Sequence, residues 1–280
     1  ITIKNGGHSA YGFSVREGCM VLDMQAFKDI QLDSKKETIT VGAGVLSSEL
    51  DRVLAPYSLA VPLGDCGGVG VAGLALGGGN GFLSKKHGLT CDSILECSMV
   101  DDRGRHVQVG VNSNKDILWA MRGAGQNNFG VVTSITFRVL RVPDKLVTGS
   151  IFLSLDSAPH VFQKFVAMMN HAPEELSLFI RIDRESNGYP GIRIYGIFLG
   201  NANEGLGYFQ EIQTWTKVLF SDVRVSSYYE AQQINTSSIS KNVSFHWKSA
   251  MMKKELDADF CQQLLECFYN CPNEYGRLNL

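Results

Sequence analysis

The sequence predicts an α+β protein of two domains, and three observations carry that reading. Glycine crowds the part before residue 131, and 29 glycines in 280 residues exceed the roughly 7% share usual in proteins. The texture changes near Pro143, beyond which glycine thins and longer alternating units begin. The order of those units, strand–helix–strand–strand–helix, is that of an antiparallel sheet with helices packed on it. The expected boundary lies at residues 140–146, which gives domains 1–142 and 143–280.

In chain order, Ile1-Thr2-Ile3-Lys4 and Met20–Met24 read as short strands, and Thr38–Gly44 as a third that ends in a turn. Leu46, Leu50, Val53 and Leu54 recur at helical spacing, with Ser47 or Ser48 available as a cap and Pro56 as a stop. Residues 64–81 read as loop and short helix. Strands 94–100 and 106–109 form a hairpin around Asp102-Arg103-Gly104. Asp116–Met121 is a brief helix, and Val131–Val139 is a strongly β-branched strand. Beyond Pro143 come strand 147–155, helix 158–170, strand 176–183, a turn at Asn187-Gly188, strand 191–199 and helix 203–218. A last helix, roughly 255–270, carries Leu256, Phe260, Leu264 and Phe268 as one stripe.

Composition excludes several classes. The net charge of −2 offers no footprint for nucleic acid or an anionic membrane, and no run of about 18 apolar residues exists to span a bilayer. The seven cysteines (19, 66, 91, 97, 261, 267, 271) are scattered without Cys-x-x-Cys spacing, so neither a disulfide framework nor a metal site is indicated. Ile1 already sits in a strand-like run, and Asn270–Leu280 follow a helix without closing an element, so a fragment is expected. The compartment is therefore not legible.

Three bare loops and one cysteine stand out. Asn5-Gly6-Gly7-His8-Ser9, followed by Tyr11-Gly12, offers consecutive backbone N–H groups that can converge on a diphosphate. A tight turn with a surface histidine is the plainer reading. Gly64-Asp65-Cys66 opens a second loop. Cys66 lies in a flexible setting there, unlike Cys91, Cys97, Cys261 and Cys267 beside apolar neighbours, and an accessible cysteine is the better candidate for chemistry. Gly123-Ala124-Gly125 and Asn127-Asn128-Phe129-Gly130 lead into Val131 as a third loop, able to cover a cofactor or simply to bend the chain. Gly68-Val69-Gly70-Val71-Ala72-Gly73 matches G-x-G-x-x-G with Asp92 about twenty residues on, the NAD-binding alternative. Gly77, Gly78, Gly79 and Gly81 fall where a Rossmann helix would run, each costing about 1 kcal/mol against Ala.

Taken together, these residues resemble the FAD-linked oxidases of the berberine bridge enzyme type, within the vanillyl-alcohol-oxidase superfamily with its PCMH-type FAD-binding domain. The resemblance rests on 5–9, on Gly64–Val71, on Gly77–Gly81, and on Trp119–Gly123 with Asn128–Val132. It is dense over 1–142 and architectural beyond. It implies that the first loop cradles the FAD pyrophosphate, that His8 is joined to the flavin 8α-methyl, and that Cys66 falls where some members form a second bond, to flavin C6. The implied cofactor-binding set is Asn5, Gly6, Gly7, His8, Ser9, Gly12, Gly64, Asp65, Cys66, Val69, Gly70, Gly73, Gly77, Gly78, Gly81, Asn128, Gly130 and Val131. Val69 resembles the position that controls oxygen access to the reduced flavin, where valine leaves room that Ile or Leu would fill; a core valine beside the loop is the alternative. Leu74 stands where plant members often carry a histidine near flavin N1, so that hydrogen bond must come from elsewhere.

The activity so implied is hydride removal from a C–H or alcohol group of a small-molecule substrate, with dioxygen reoxidising the flavin. Two tethers would fix the ring and raise its potential. The alternatives are a flavin carrier without turnover, a dehydrogenase without oxygen reactivity, and an NAD-binding domain. No catalytic base is named: Tyr195, Tyr228, Tyr229, His246 and Trp247 read as packing or sheet-face residues.

Overall fold

A computed structural model describes residues 1–126, 128–185, 187–234, 248, 249, 257–273 and 276–279. Two compact units divide the chain: Ile1–Val142 with Gln232–Lys248, and Pro143–Ala231 with Ser249–Leu280.

The first unit begins with two short parallel strands, β1 (Thr2–Lys4) and β2 (Val21–Asp23), whose pairing sets Lys4, at the start of the first glycine loop, opposite Asp23. Strands β3 (Ile30–Asp33) and β4 (Thr38–Gly42) form a hairpin, its turn held by Asp33 Oδ1, which accepts the backbone N–H groups of Lys35 and Lys36. Helix α1 (Ser47–Leu54), strand β5 (Leu59–Ala60), helix α2 (Val71–Leu76) and the single-turn helix α3 (Ser84–His87) follow. Strands β6 (Ile94–Val100) and β7 (His106–Gly110), helix α4 (Lys115–Ala124), and strands β8 (Val131–Arg138) and β9 (Leu140–Arg141) complete it.

The main sheet is antiparallel throughout, in the order β3-β4-β8-β6-β7. Alternation along each strand decides which face is buried. Ile39 and Val41, Cys97 and Met99, and Ile135 and Phe137 enter one core with Leu50 and Leu54 of α1, Val71 and Ala75 of α2, and Leu118 and Met121 of α4. The opposite face carries hydroxyls, with Thr40 Oγ1 and Thr136 Oγ1 2.9 Å apart.

The second unit is built on β10 (Leu146–Leu153), α5 (Ala158–His171), β11 (Leu176–Arg184), β12 (Pro190–Phe198), α6 (Ala202–Gln213), β13 (Val218–Ser226), α7 (Tyr228–Ala231), α8 (Ala258–Tyr269) and β14 (Leu278–Asn279). Its antiparallel sheet has the order β13-β10-β12-β11-β14. Ile180, Ile182, Ile192 and Ile194 pack on one face against Val161 and Phe162 of α5, Phe209 and Ile212 of α6, and Cys261, Leu265 and Phe268 of α8. The other face carries an ion-pair cluster in which Arg181 and Arg193 share Asp183, at 2.6 and 3.3 Å, and Arg193 also reaches Glu185.

Several expectations are corrected. Helix 203–218 stops at Gln213, and Val218–Ser226 is a strand, because its alternating valines find a partner in β10, with Val225 opposite Val147. The chain end is not idle: Leu278 and Asn279 pair with Ile182 and Arg181 of β11. Neither Ser47 nor Ser48 caps α1; Glu49 Oε2 accepts the Leu46 N–H at 2.8 Å, and Lys28 holds that carboxylate at 2.6 Å. On α8 the buried stripe is Cys261, Leu265 and Phe268, while Phe260 and Leu264 flank it half-buried and Leu256 lies outside the described residues. Cys267 is exposed rather than packed.

Asp51 on α1 is 5% exposed, and its Oδ1 has no hydrogen-bond partner. Burial raises its pKa from 3.8 to about 7. Between those values the folded chain keeps a proton that the unfolded chain releases, so stability falls as pH rises through this window. Asp51→Asn is expected to flatten that slope in urea melts from pH 4 to 8 and to stabilise the protein at pH 8 by at most about 4 kcal/mol. An unchanged slope would remove Asp51 as its source.

Candidate cofactor site

The first two glycine loops meet main chain to main chain. A Cβ on Gly6 would sit 2.6 Å from the Gly70 nitrogen and 2.7 Å from the Gly68 carbonyl oxygen, so no larger residue fits without moving the backbone. A Cβ on Gly68 would sit 2.8 Å from His8 Nε2, which places the imidazole directly over that residue. The Asn5 side chain lies over Gly70, where a Cβ would strike it. His8 is thus brought beside the Gly64–Gly70 loop, two residues along from Cys66.

Helix α1 holds that loop in place. Val69 donates its N–H to the Cys66 carbonyl at 3.1 Å, and its own carbonyl accepts from the Ser47 N–H at 2.9 Å and the Ser47 hydroxyl at 3.1 Å. Ser48 N–H reaches the Gly67 carbonyl at 3.0 Å, and Leu46 forms a bridge with Gly70. Both serines expected as caps therefore clamp the cysteine loop. Asn5 Nδ2 adds a bond to the Val45 carbonyl at 3.4 Å.

The other expected residues divide. Gln126 covers Gly77 and donates to the Gly73 carbonyl, and Gly125 N–H donates to the Leu76 carbonyl at 3.0 Å, so the start of the third loop is fastened to α2. Gly78 accepts the Cys91 N–H at 2.8 Å, and Gly81 lies tight against the Leu63 carbonyl. Asn128 and Val131 instead join the end of α4 to β8, with Asn128 Nδ2 2.8 Å from the Ala124 carbonyl and Val131 opposite Val100. Gly130 holds φ 140° against the Val100 carbonyl, a conformation and a space that only glycine suits. Asn127 lies outside the described residues. Ser9 turns inward on its own loop, accepting the Phe13 N–H at Oγ and the Gly12 N–H at its carbonyl, and leaves Gly12 open. Gly7 is exposed beside His8, while Gly64 and Asp65 are half-buried ahead of Cys66.

Cys66 is half-buried, and burial pushes its thiol above the ordinary value; Gly68 and Val69 N–H groups pull it down and the Asp65 carboxylate pushes it further up. Cys66 is thus partly shielded rather than fully open in its loop. Val69 stays outside the hydrophobic core, whereas Leu74 packs against it. The Gly68–Gly73 alternative lacks a βαβ unit. Helix α2 is six residues long and ends at Gly77, and β5 pairs antiparallel with β9.

These geometries meet the comparisons with known proteins. The FAD binding domain family matches residues 1–110. An FAD-linked oxidoreductase of Dictyostelium discoideum is 29% identical over 273 residues, covering 95% of this chain and 58% of its relative. The (R)-6-hydroxynicotine oxidase of Paenarthrobacter nicotinovorans is 29% identical over 84% of this chain and 52% of its own. The chain carries an FAD-binding domain, and its relatives are FAD-linked oxidoreductases of the berberine bridge enzyme-like kind. Among solved structures, 6-hydroxy-D-nicotine oxidase from Arthrobacter nicotinovorans superposes with a TM-score of 0.80 at 26% identity over 87% of this chain and 54% of that one. BBE-like 1 of Physcomitrella patens gives 0.75 at 29% identity, over 84% and 51%. The fold is thus the α+β, PCMH-type one. The chain spans about half the length of the relatives it matches.

The residues present fit FAD on observations of their own. The Gly6–Gly68–Gly70 contact sets the two loops and His8 side by side within the FAD-binding domain. Asn5 Oδ1 is buried without a donor, and a bound dinucleotide brings hydroxyl and N–H donors. The sequence singles out the glycines and His8 as candidates because those residue types in a bare loop are rare signals. Ser47 and Gln126 gave none, since a serine or glutamine acquires meaning only from what it faces. Among the described residues no His, Cys, Asp and Glu group could hold a metal ion, and no helix is long and apolar enough to cross a membrane.

In flavin-free protein at pH 7, iodoacetamide is expected to alkylate exposed Cys19 well before Cys66, with Cys66 catching up as pH rises past 9. Equal rates at pH 7, read by mass spectrometry, would contradict the shielding.

Proposed function

We propose that the protein is an FAD-dependent oxidase that takes hydride from a C–H or alcohol group of a small molecule such as a sugar, an alcohol or a secondary metabolite, and passes the electrons to dioxygen. The observation that carries it is His8 lying over Gly68, two residues from Cys66, within an FAD-binding domain. That placement supports a flavin held covalently through His8 and, second, through Cys66.

FAD, when bound, supplies the two-electron acceptor. The chain supplies position. The glycines let the two loops approach main chain to main chain, α1 fixes the cysteine loop, and His8 supplies an imidazole nitrogen to fix the ring. Val69, outside the core, supports an opening for dioxygen at this loop. The base that receives the substrate proton is not assigned within this chain. Tyr195 stacks on Phe179 at 5.6 Å with Arg181 over its ring, Tyr228 is buried and Tyr229 half-buried. His246 and Trp247 lie outside the described residues.

Denatured protein is expected to show flavin fluorescence on the polypeptide band, and the native protein to form peroxide with a sugar or alcohol from a substrate panel. His8→Ala is expected to lose most of the retained flavin, and Cys66→Ala to keep it with an altered absorption spectrum. No retained flavin on the parent would remove the covalent reading; retained flavin without peroxide would leave a carrier or a dehydrogenase.

A further inference from the structure

The chain leaves the FAD-binding unit at Val142 and comes back to it at Gln232. Gln232 is 3% exposed, and its Nε2 donates toward the Gly64 carbonyl at 3.5 Å, across 168 positions of sequence. Its Oε1 is buried and has no partner. Asn5 does the same at the loop's other end: its Nδ2 holds the Val45 carbonyl beside Gly70, and its Oδ1 is buried without a donor. One amide therefore stands at each end of the Gly64–Gly70 segment, each with its donor engaged on the main chain and its acceptor left over. Cys66, and Gly68 under His8, lie between them.

Buried acceptors are hydrogen-bonded in more than about nine cases in ten, because an unmade bond costs about 1–3 kcal/mol. An amide oxygen repels phosphate oxygens, so the diphosphate is not what it serves. The flavin end of FAD carries the donors that would, on the ring and along the ribityl hydroxyls. We propose that Gln232 is a flavin-binding residue, its Oε1 accepting a hydrogen bond from a donor on the isoalloxazine ring or the ribityl chain. This rests on the FAD reading above. It gives the returning segment a role in the cofactor site and supplies a polar contact on the loop that Leu74 cannot provide.

The test uses full-length protein and FAD itself. In a His8→Ala, Cys66→Ala background, where no tether masks affinity, FAD binding is titrated by fluorescence quenching for Gln232, Gln232→Met and Gln232→Glu. Methionine removes both the donor and the acceptor and is expected to weaken FAD binding about tenfold. Glutamate keeps an acceptor for the flavin while losing the donor to Gly64 and adding a buried charge beside that carbonyl, and is expected to weaken binding less than methionine does. In the tethered protein Gln232→Glu is expected to lower the flavin midpoint potential, since a nearby carboxylate opposes the charge of the reduced ring. This second readout stands even where Gln232→Met fails to fold. Equal weakening by Met and Glu, which would leave only the Gly64 bond as the role of Gln232, overturns the proposal; so does an unmoved potential in Gln232→Glu. A tethered parent that takes up no FAD overturns the FAD reading together with it. A parent that binds FAD, with a silent Gln232→Met, overturns the proposal alone.

Discussion

Contact between bare backbones at Gly6, Gly68 and Gly70 is the constraint on which the rest of the first unit depends. Main chains can approach this closely only where no Cβ intervenes, and a Cβ on Gly6 would sit within 2.7 Å of two backbone atoms. Everything chemical is then placed by that approach. His8 comes to lie over Gly68, Asn5 over Gly70, and Cys66 is carried on the segment that the contact pins. A loop touching only solvent would leave the imidazole free to wander. Here the strand pair β1–β2 delivers one side and α1 the other.

The supporting layer is built from polar groups with divided loyalties. The Ser47 hydroxyl holds the Val69 carbonyl and the Ser48 backbone N–H holds the Gly67 carbonyl, while Glu49 takes the Leu46 N–H at the start of α1. Asn5 and Gln232 each use the nitrogen of an amide on the main chain and leave the oxygen buried and unmatched. Unmatched buried acceptors are costly in a molecule folded only for stability. At Cys66, burial and the Asp65 carboxylate both raise the thiol pKa.

How much of this the sequence revealed depends on how local each signal is. The strands of the FAD-binding unit carry β-branched alternation and were legible, as was the Asp102–Gly104 turn, where Asp101 accepts the N–H groups of Arg103 and Arg105. The glycine loops and His8 were legible because their composition departs sharply from the average. Strand Val218–Ser226, of which only Val218 was read, as a helix end, was missed because what defines it is its pairing with β10, far away in sequence. Leu278–Asn279 was missed for the same reason: two residues carry no pattern until β11 pairs with them. Gln232 was wholly illegible. Its meaning comes from Gly64, which lies 168 positions away.

The central claim is that these two loops come together around one flavin, and a peptide map tests it most directly. Trypsin should release His8 within residues 5–16 and Cys66 within residues 53–85. The account expects a flavin mass on the first peptide, joined to the second where both bonds have formed. Flavin recovered free, or attached to any other peptide, would contradict it.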